Sequence, residues 1–275
     1  TKLDGKNSWF LPFDKGYNDG AGNPPNPDGL MTDYLWKKIL TKDKLSRIIE
    51  NYAQVVIEED PETKKKSVKQ IFPRYHQLDC AEKLLADVKA NGVGKRYLIQ
   101  HSAGSGKSNS IAWLAHQLIG LEKDGHPMID SVLVVTDRRI LDKQIRDNIK
   151  QFMQVANTVA WAEHSGDLRK AIQAGKRIII TTVEKFPYVV PDIGATHKTN
   201  HFAVIIDEAH SGQNGRNSAQ MNLALSGLAS EDEMDNEDKI NAMMEGRKLL
   251  PNASYFAFTA TPKNKTLETF GTLVV

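Results

Sequence analysis

Short apolar runs and helical spacings alternate along most of this chain. Tyr97 to Gln100, Ser131 to Thr136, Thr158 to Trp161, Arg177 to Thr182, Phe202 to Ile206 and Ser254 to Thr259 are largely apolar and rich in β-branched or aromatic residues. Such runs predict strands buried on both faces. Between most of them the apolar positions move to helical spacing, as in Ile111, Leu114, Ala115, Leu118 and Ile119, or Leu141, Ile145, Ile149 and Phe152. The alternation predicts an α/β fold, a mainly parallel sheet flanked by helices, with ligands bound at the carboxyl ends of the strands.

The amino-terminal part lacks this rhythm. Gly16 to Gly29, GYNDGAGNPPNPDG, favours turns and reads as a long loop or linker. Leu35, Ile39 and Leu40 fit one short helix, and Leu45, Ile48, Ile49 and Tyr52 a second, with Thr41 as the cap between them. Val55 to Phe72 has two β-prone arms around Asp60-Pro61-Glu62-Thr63 and predicts a hairpin. Its Lys64, Lys65 and Lys66 suit phosphate contacts, although a solvated turn explains them more simply. The acidic stretch Ser230 to Glu245 reads as a surface excursion.

Composition narrows the classes. Lys and Arg total 36 against 34 Asp and Glu, a net charge of +2, so any nucleic-acid contact is local rather than a broad basic field. The single cysteine, Cys80, excludes an internal disulfide, and its place on the apolar side of a helix from Leu78 to Val88 suits a core position. No His and Cys arrangement has zinc spacing, and His76 reads as a packing or solvent histidine. No apolar run has the length needed to cross a membrane, which points to a cytoplasmic protein. A start at Thr1 and an uncapped end, LETFGTLVV, are expected of a fragment.

The chemistry concentrates where strands end. Tyr97 to Leu118 reads YLIQHSAGSGKSNSIAWLAHQL, a strand turning through Gly104, Ser105, Gly106, Lys107 and Ser108 into a helix. This is the pattern of a phosphate-binding loop: glycines turn backbone amides onto phosphates, Lys107 reaches the outer phosphates, and the Ser108 hydroxyl is a magnesium ligand. The slot of the pattern's first glycine holds His101. Phe202 to His210, FAVIIDEAH, is an apolar strand delivering Asp207 and Glu208. Asp207 suits the magnesium that bridges the outer phosphates, and Glu208 the attacking water. Ser254 to Pro262, SYFAFTATP, ends in Thr259-Ala260-Thr261, whose hydroxyls suit hydrogen bonds to His210 or Glu208. ATP and Mg2+ are the expected ligands.

The order Gly-Ser-Gly-Lys-Ser, Asp-Glu-Ala-His, Thr-Ala-Thr-Pro resembles the first RecA-like domain of superfamily 2 helicases and translocases, from about Arg74 to Gly271. Within that group, FPRYHQLDCAEKLL, VVTDRRILDKQI, IIITTVEKF and WFLPFDKGYNDGAGNPPNPDGLMTDYLWKKIL are similar to the R subunit of type I restriction-modification enzymes. The resemblance implies that Gln77 recognises adenine with help from Arg74, and that Thr136, Arg138, Arg139, Thr181 and Thr182 touch the backbone of a tracked DNA strand. Surface ion contacts are the competing explanation for Arg138 and Arg139. Where related motors often carry an arginine after the DEAH box, Ser211-Gly212-Gln213 follows His210, and Arg216 is the candidate substitute.

The same resemblance implies residues 1–54 as linker and short helices joining a nuclease domain, and 55–275 as the motor domain. Its implied partners are double-stranded DNA, methyltransferase and specificity subunits, and a second RecA-like domain of the same subunit. A stand-alone helicase and a nucleotide-gated interaction module are the alternatives. A nuclease upstream of Thr1, or turnover in addition to binding, would separate them from a restriction motor.

Overall fold

A computed structural model describes residues 6, 13–20, 22–59, 63–64, 66–102, 104–136, 159–162, 165–182, 199–207, 252–262 and 267. The chain divides into two compact units, Thr1–Lys83 and Leu84–Val275.

The first unit opens with hydrogen-bonded turns. Lys15 N–H donates to Asn23 Oδ1 (2.9 Å), Gly16 N–H to Asp14 Oδ1 (3.0 Å) and Tyr17 N–H to Gly22 O (2.8 Å), around the single helical turn α1 (Tyr17–Gly20). The short helix expected at Leu35 is a π-helical turn, Leu35–Ile39, closed by Leu40 N–H on Leu35 O (2.6 Å). In α2 (Lys42–Asn51), Thr41 occupies the cap position, but its hydroxyl donates backwards to Lys38 O (3.3 Å) instead of capping the helix. Helix α2 buries Ile48, and Tyr52 just beyond it is buried as well.

The predicted hairpin is present as β1 (Gln54–Glu59) and β2 (Lys66–Ile71), antiparallel with Val56 opposite Lys69. Helix α3 (Tyr75–Asn91) follows, and the boundary between the units falls within it. Aromatic rings hold the first unit together. Phe13 meets Tyr75 edge-on (5.8 Å between centroids), Tyr34 meets the same ring (5.4 Å), and the Lys15 ammonium lies 4.7 Å above Tyr34. The Tyr34 hydroxyl donates to Phe13 O, and Lys44 pairs with Glu82. Each edge-to-face pair adds about 0.5–1.5 kcal/mol beyond its buried area, which matters in a unit with few long apolar runs.

The second unit carries the sheet. Its elements are β3 (Arg96–Gln100), α4 (Lys107–Ile119), β4 (Glu122–Lys123), β5 (His126–Pro127), β6 (Ser131–Thr136), β7 (Val159–Trp161), α5 (Ser165–Gln173), β8 (Ile178–Thr182), β9 (Phe202–Ile206) and β10 (Ala253–Thr259). Six strands lie in the order β3-β10-β9-β6-β8-β7, and every pairing among them is parallel. With its flanking helices this is the expected RecA-like α/β domain.

Strands β6, β8, β9 and β10 are buried at every residue, whereas β3, at the sheet's edge, is partly exposed. One layer of the core joins Leu133, Val135, Ile179, Val204, Ile206 and Tyr255 to Ala171 and Ile172 of α5. Helix α4 packs along β6, β8 and β9. Its apolar spacing suggests one buried stripe, yet Ala112 and Trp113 are also fully buried, so the helix is enclosed on more than one side.

The amino-terminal end of β3 is pinned to α3. Asp87 accepts from Tyr97 Oη (2.8 Å), Lys95 Nζ (3.0 Å) and Asn91 Nδ2 (2.8 Å), and Tyr97 stacks on Phe256 of β10 (4.8 Å, 12°). Burial, then the bond to Asp87, pushes the Tyr97 hydroxyl well above its ordinary pKa. The small hairpin β4–β5 was not expected. The helical pattern around Leu141 and the acidic stretch Ser230 to Glu245 lie outside the described residues.

Candidate nucleotide site

Among the described residues between β3 and α4, the backbone enters the left-handed region at Gly104 (φ 75°) and Gly106 (φ 83°). That region costs other L-residues roughly 1–2 kcal/mol. A Cβ added at Gly104 meets nothing within 4 Å. The positive φ, rather than crowding by neighbouring protein, is what calls for glycine there. Gly106 caps α4, its carbonyl accepting from Asn109 N–H (3.0 Å) and Ser110 N–H (3.2 Å).

Lys107 and Ser108 are the first residues of α4; Lys107 is 9% exposed and Ser108 half-buried. The helix dipole places about half a positive charge at this end. An ammonium, a hydroxyl and the positive end of the helix dipole therefore gather at one helix start, an arrangement that favours an anion.

The sheet order aligns the remaining groups. Strand β10 lies between β3 and β9, with Thr259 opposite Gln100 and Ala257 opposite Ile206. Asp207 follows β9 directly, is 2% exposed, and donates its N–H to Val135 O (2.9 Å). At a strand spacing of about 4.8 Å, β9 runs roughly 10 Å from β3. Thr259 is buried, while Thr261 just beyond the strand is exposed.

Thr136, Thr181 and Thr182 reach the same carboxyl edge, Thr136 pairing opposite Thr182. All are buried. The Thr136 hydroxyl donates to Thr181 O (3.4 Å), bracing β6 against β8. The hydroxyls of Thr181 and Thr182 have no hydrogen-bond partner among the described residues. Glu208, His210, Arg138, Arg139 and Arg216 lie outside the described residues.

In the first unit, Gln77 is 3% exposed and its Oε1 accepts from Arg74 N–H (2.9 Å), while Gln77 N–H returns to Arg74 O (3.1 Å). The side-chain bond is the one that a glutamine three residues into a helix makes to the capping residue's amide. Sequence reasoning overlooked this role, because arginine at the capping position lacks the side-chain acceptor of a full capping box, and only the returning glutamine is present. One acceptor position of Oε1 is engaged in this way.

Burial, then the Asp79 charge, pushes the Cys80 thiol up to about 11, so it is a neutral thiol at physiological pH rather than a nucleophile. No group of three or more His, Cys, Asp or Glu side chains among the described residues is arranged to hold a metal. Among the described residues no helix is long and apolar enough to cross a membrane.

Comparison with known proteins places this chain in a family. A Mycoplasma pneumoniae protein provisionally named as the C-terminal part of a type I restriction enzyme endonuclease subunit is 29% identical over 158 residues, 52% of this chain and 73% of that protein. The type I restriction enzyme HindI endonuclease subunit of Haemophilus influenzae is 27% identical over 212 residues, 72% of this chain but 18% of that subunit. The UvsW helicase structure from bacteriophage T4 aligns with a TM-score of 0.44 and 14% identity, covering 84% of this chain and 65% of that one. The SWI2/SNF2 ATPase family matches residues 76–275, a span that takes in the glycine loop, Asp207 and the Thr259 strand end, and the chain belongs to that family.

Proposed function

We propose that this chain is the first RecA-like motor domain of a type I restriction R subunit, binding and hydrolysing ATP with Mg2+ to move double-stranded DNA before cleavage. The observation that carries the reading is the lateral order of the sheet: the Gly104–Ser108 loop leaves β3, Asp207 leaves β9, and Thr259 ends the strand between them. A triphosphate held on the loop would extend across β10 toward the carboxylate.

In this reading the loop amides and Lys107 hold the outer phosphates, and Ser108 and Asp207 supply the magnesium ligands. Held by Ser108 and Asp207, Mg2+ would supply positive charge against the phosphates. Glu208 orients the attacking water, and His210, Thr259 and Thr261 relate the phosphate state to the rest of the motor. Gln77, with Arg74, reads the adenine while also capping α3. Thr136, Arg138, Arg139, Thr181 and Thr182 meet the DNA backbone, contacts that suit a motor because they ignore sequence.

Residues 1–54 join this motor to a nuclease domain, and 55–275 form the motor. A second RecA-like domain completes the ATP site, and methyltransferase and specificity subunits complete the assembly. Loss of an arginine finger from such a second domain lowers turnover by about a thousandfold or more. The isolated chain is therefore expected to bind ATP weakly and hydrolyse little.

Titration with a fluorescent ATP analogue, alongside DNA-stimulated hydrolysis by the full-length subunit, tests the reading. Lys107→Ala and Asp207→Ala should each abolish hydrolysis and translocation while leaving the circular dichroism spectrum near that of the unsubstituted protein. Survival of hydrolysis in either variant would overturn the assigned roles, and robust DNA-stimulated turnover by the isolated chain would overturn its expected weakness.

A further inference from the structure

His101 replaces the first glycine of the phosphate-loop pattern, and the roles above leave it unused. It is 6% exposed. Its N–H donates to Thr259 O (2.8 Å), and its ring meets Phe258 edge-on at 5.7 Å and 81°. The preceding residue, Gln100, pairs opposite Thr259 and directs its Nε2 to Ala260 O (3.5 Å). Phe258, Thr259 and Ala260 are thus each engaged by the two residues that open the loop.

A glycine at this position would keep the main-chain bond and lose the ring contact. An edge-to-face pair has a preferred angle, so a rotation of the loop's entrance disturbs Phe258 as well as the hydrogen bond. We infer that His101 is a positioning residue that carries movement of the phosphate loop to the Thr259–Thr261 strand end. This gives that strand end a direct tie to the loop in addition to any through the DEAH residues. The inference rests on the reading of the loop as an ATP site.

The test uses the full-length subunit with His101→Ala, His101→Phe, Phe258→Leu and the double variant His101→Ala/Phe258→Leu, each checked by thermal melting. ATP-analogue binding, and kcat and KM for ATP with and without DNA, are measured for each. His101→Ala should lower DNA-stimulated kcat about three- to tenfold, the range one edge-to-face pair can carry, with a much smaller change in KM. His101→Phe, which keeps an aromatic edge, should restore kcat to within about twofold, and the double variant should be little worse than either single.

Three results would overturn the inference while leaving the ATP reading intact. These are wild-type stimulation in His101→Ala, equal loss in His101→Phe and His101→Ala, or strictly additive losses in the double variant. Failure of the unsubstituted subunit to bind the analogue would instead overturn the ATP reading, and the inference with it.

Discussion

Gly104→Ala separates the backbone requirement of the loop from its ligand requirement. With φ at 75° and nothing within 4 Å of the added methyl, the substitution has no steric term against the protein. What remains is the left-handed penalty, about 1–2 kcal/mol. For a domain of this size that corresponds to a fall in Tm of about 2–4 °C per kcal/mol. Nucleotide affinity should respond more strongly. If the loop relaxes toward negative φ, the amides no longer converge, and each hydrogen bond lost to a charged acceptor costs about 1.5–3 kcal/mol.

Affinity for a fluorescent ATP analogue should therefore drop at least about tenfold, more than the stability change would suggest. Gly104→Asn is the control, because asparagine tolerates the left-handed region and should recover most of the lost stability. Any affinity it fails to recover reports the side chain obstructing the phosphates. Wild-type affinity in Gly104→Ala, or a stability loss large enough to imply a steric clash, would refute the reasoning.

Two predictions concern titratable groups. Hydrogen bonds from Lys95, then Tyr97 and later Asn91, hold the Asp87 carboxyl below its usual pKa. As pH falls the unfolded chain takes up this proton first, so the contribution is complete above about pH 4 and is lost as pH falls through the lower folded-state value. Because the pair is exposed, it contributes less than about 1 kcal/mol, and Asp87→Asn should flatten the acid fall of Tm slightly; identical slopes would refute the assignment. Cys80, half-buried and pushed up to about 11, should react slowly with a disulfide reagent at pH 8 until denaturant is added, and rapid native labelling would contradict its raised pKa.

Of the six strands in the sheet, β6, β8, β9 and β10 were legible because they are buried on both faces and so read as continuous apolar runs. Ser131–Thr136 and Phe202–Ile206 have the expected bounds, and the other four differ by a residue at one end. The hairpin β4–β5 escaped because its arms are only two residues long. Its turn was nevertheless written in Asp124-Gly125, both at positive φ, a strong short-range hairpin signal. The enclosure of α4 also escaped, since a stripe of apolar residues records one packed face and Trp113 faces elsewhere. Gln77 as a helix cap was missed because an amide side chain suits a base edge and a backbone N–H equally well.

By itself the sequence determined the local units: glycines where the backbone turns left-handed, a lysine and a hydroxyl at a helix start, an acid after an apolar strand. Each follows from periodicity and residue chemistry within a few positions. The tertiary structure decided which of these units are neighbours. Thr259 lies opposite Gln100, and the strand carrying it separates the loop from Asp207, because hydrogen-bond register between strands remote in sequence depends on the packing of the whole sheet. For the same reason, only the fold discloses that His101, a departure from the loop pattern in the sequence, sits edge-on against Phe258.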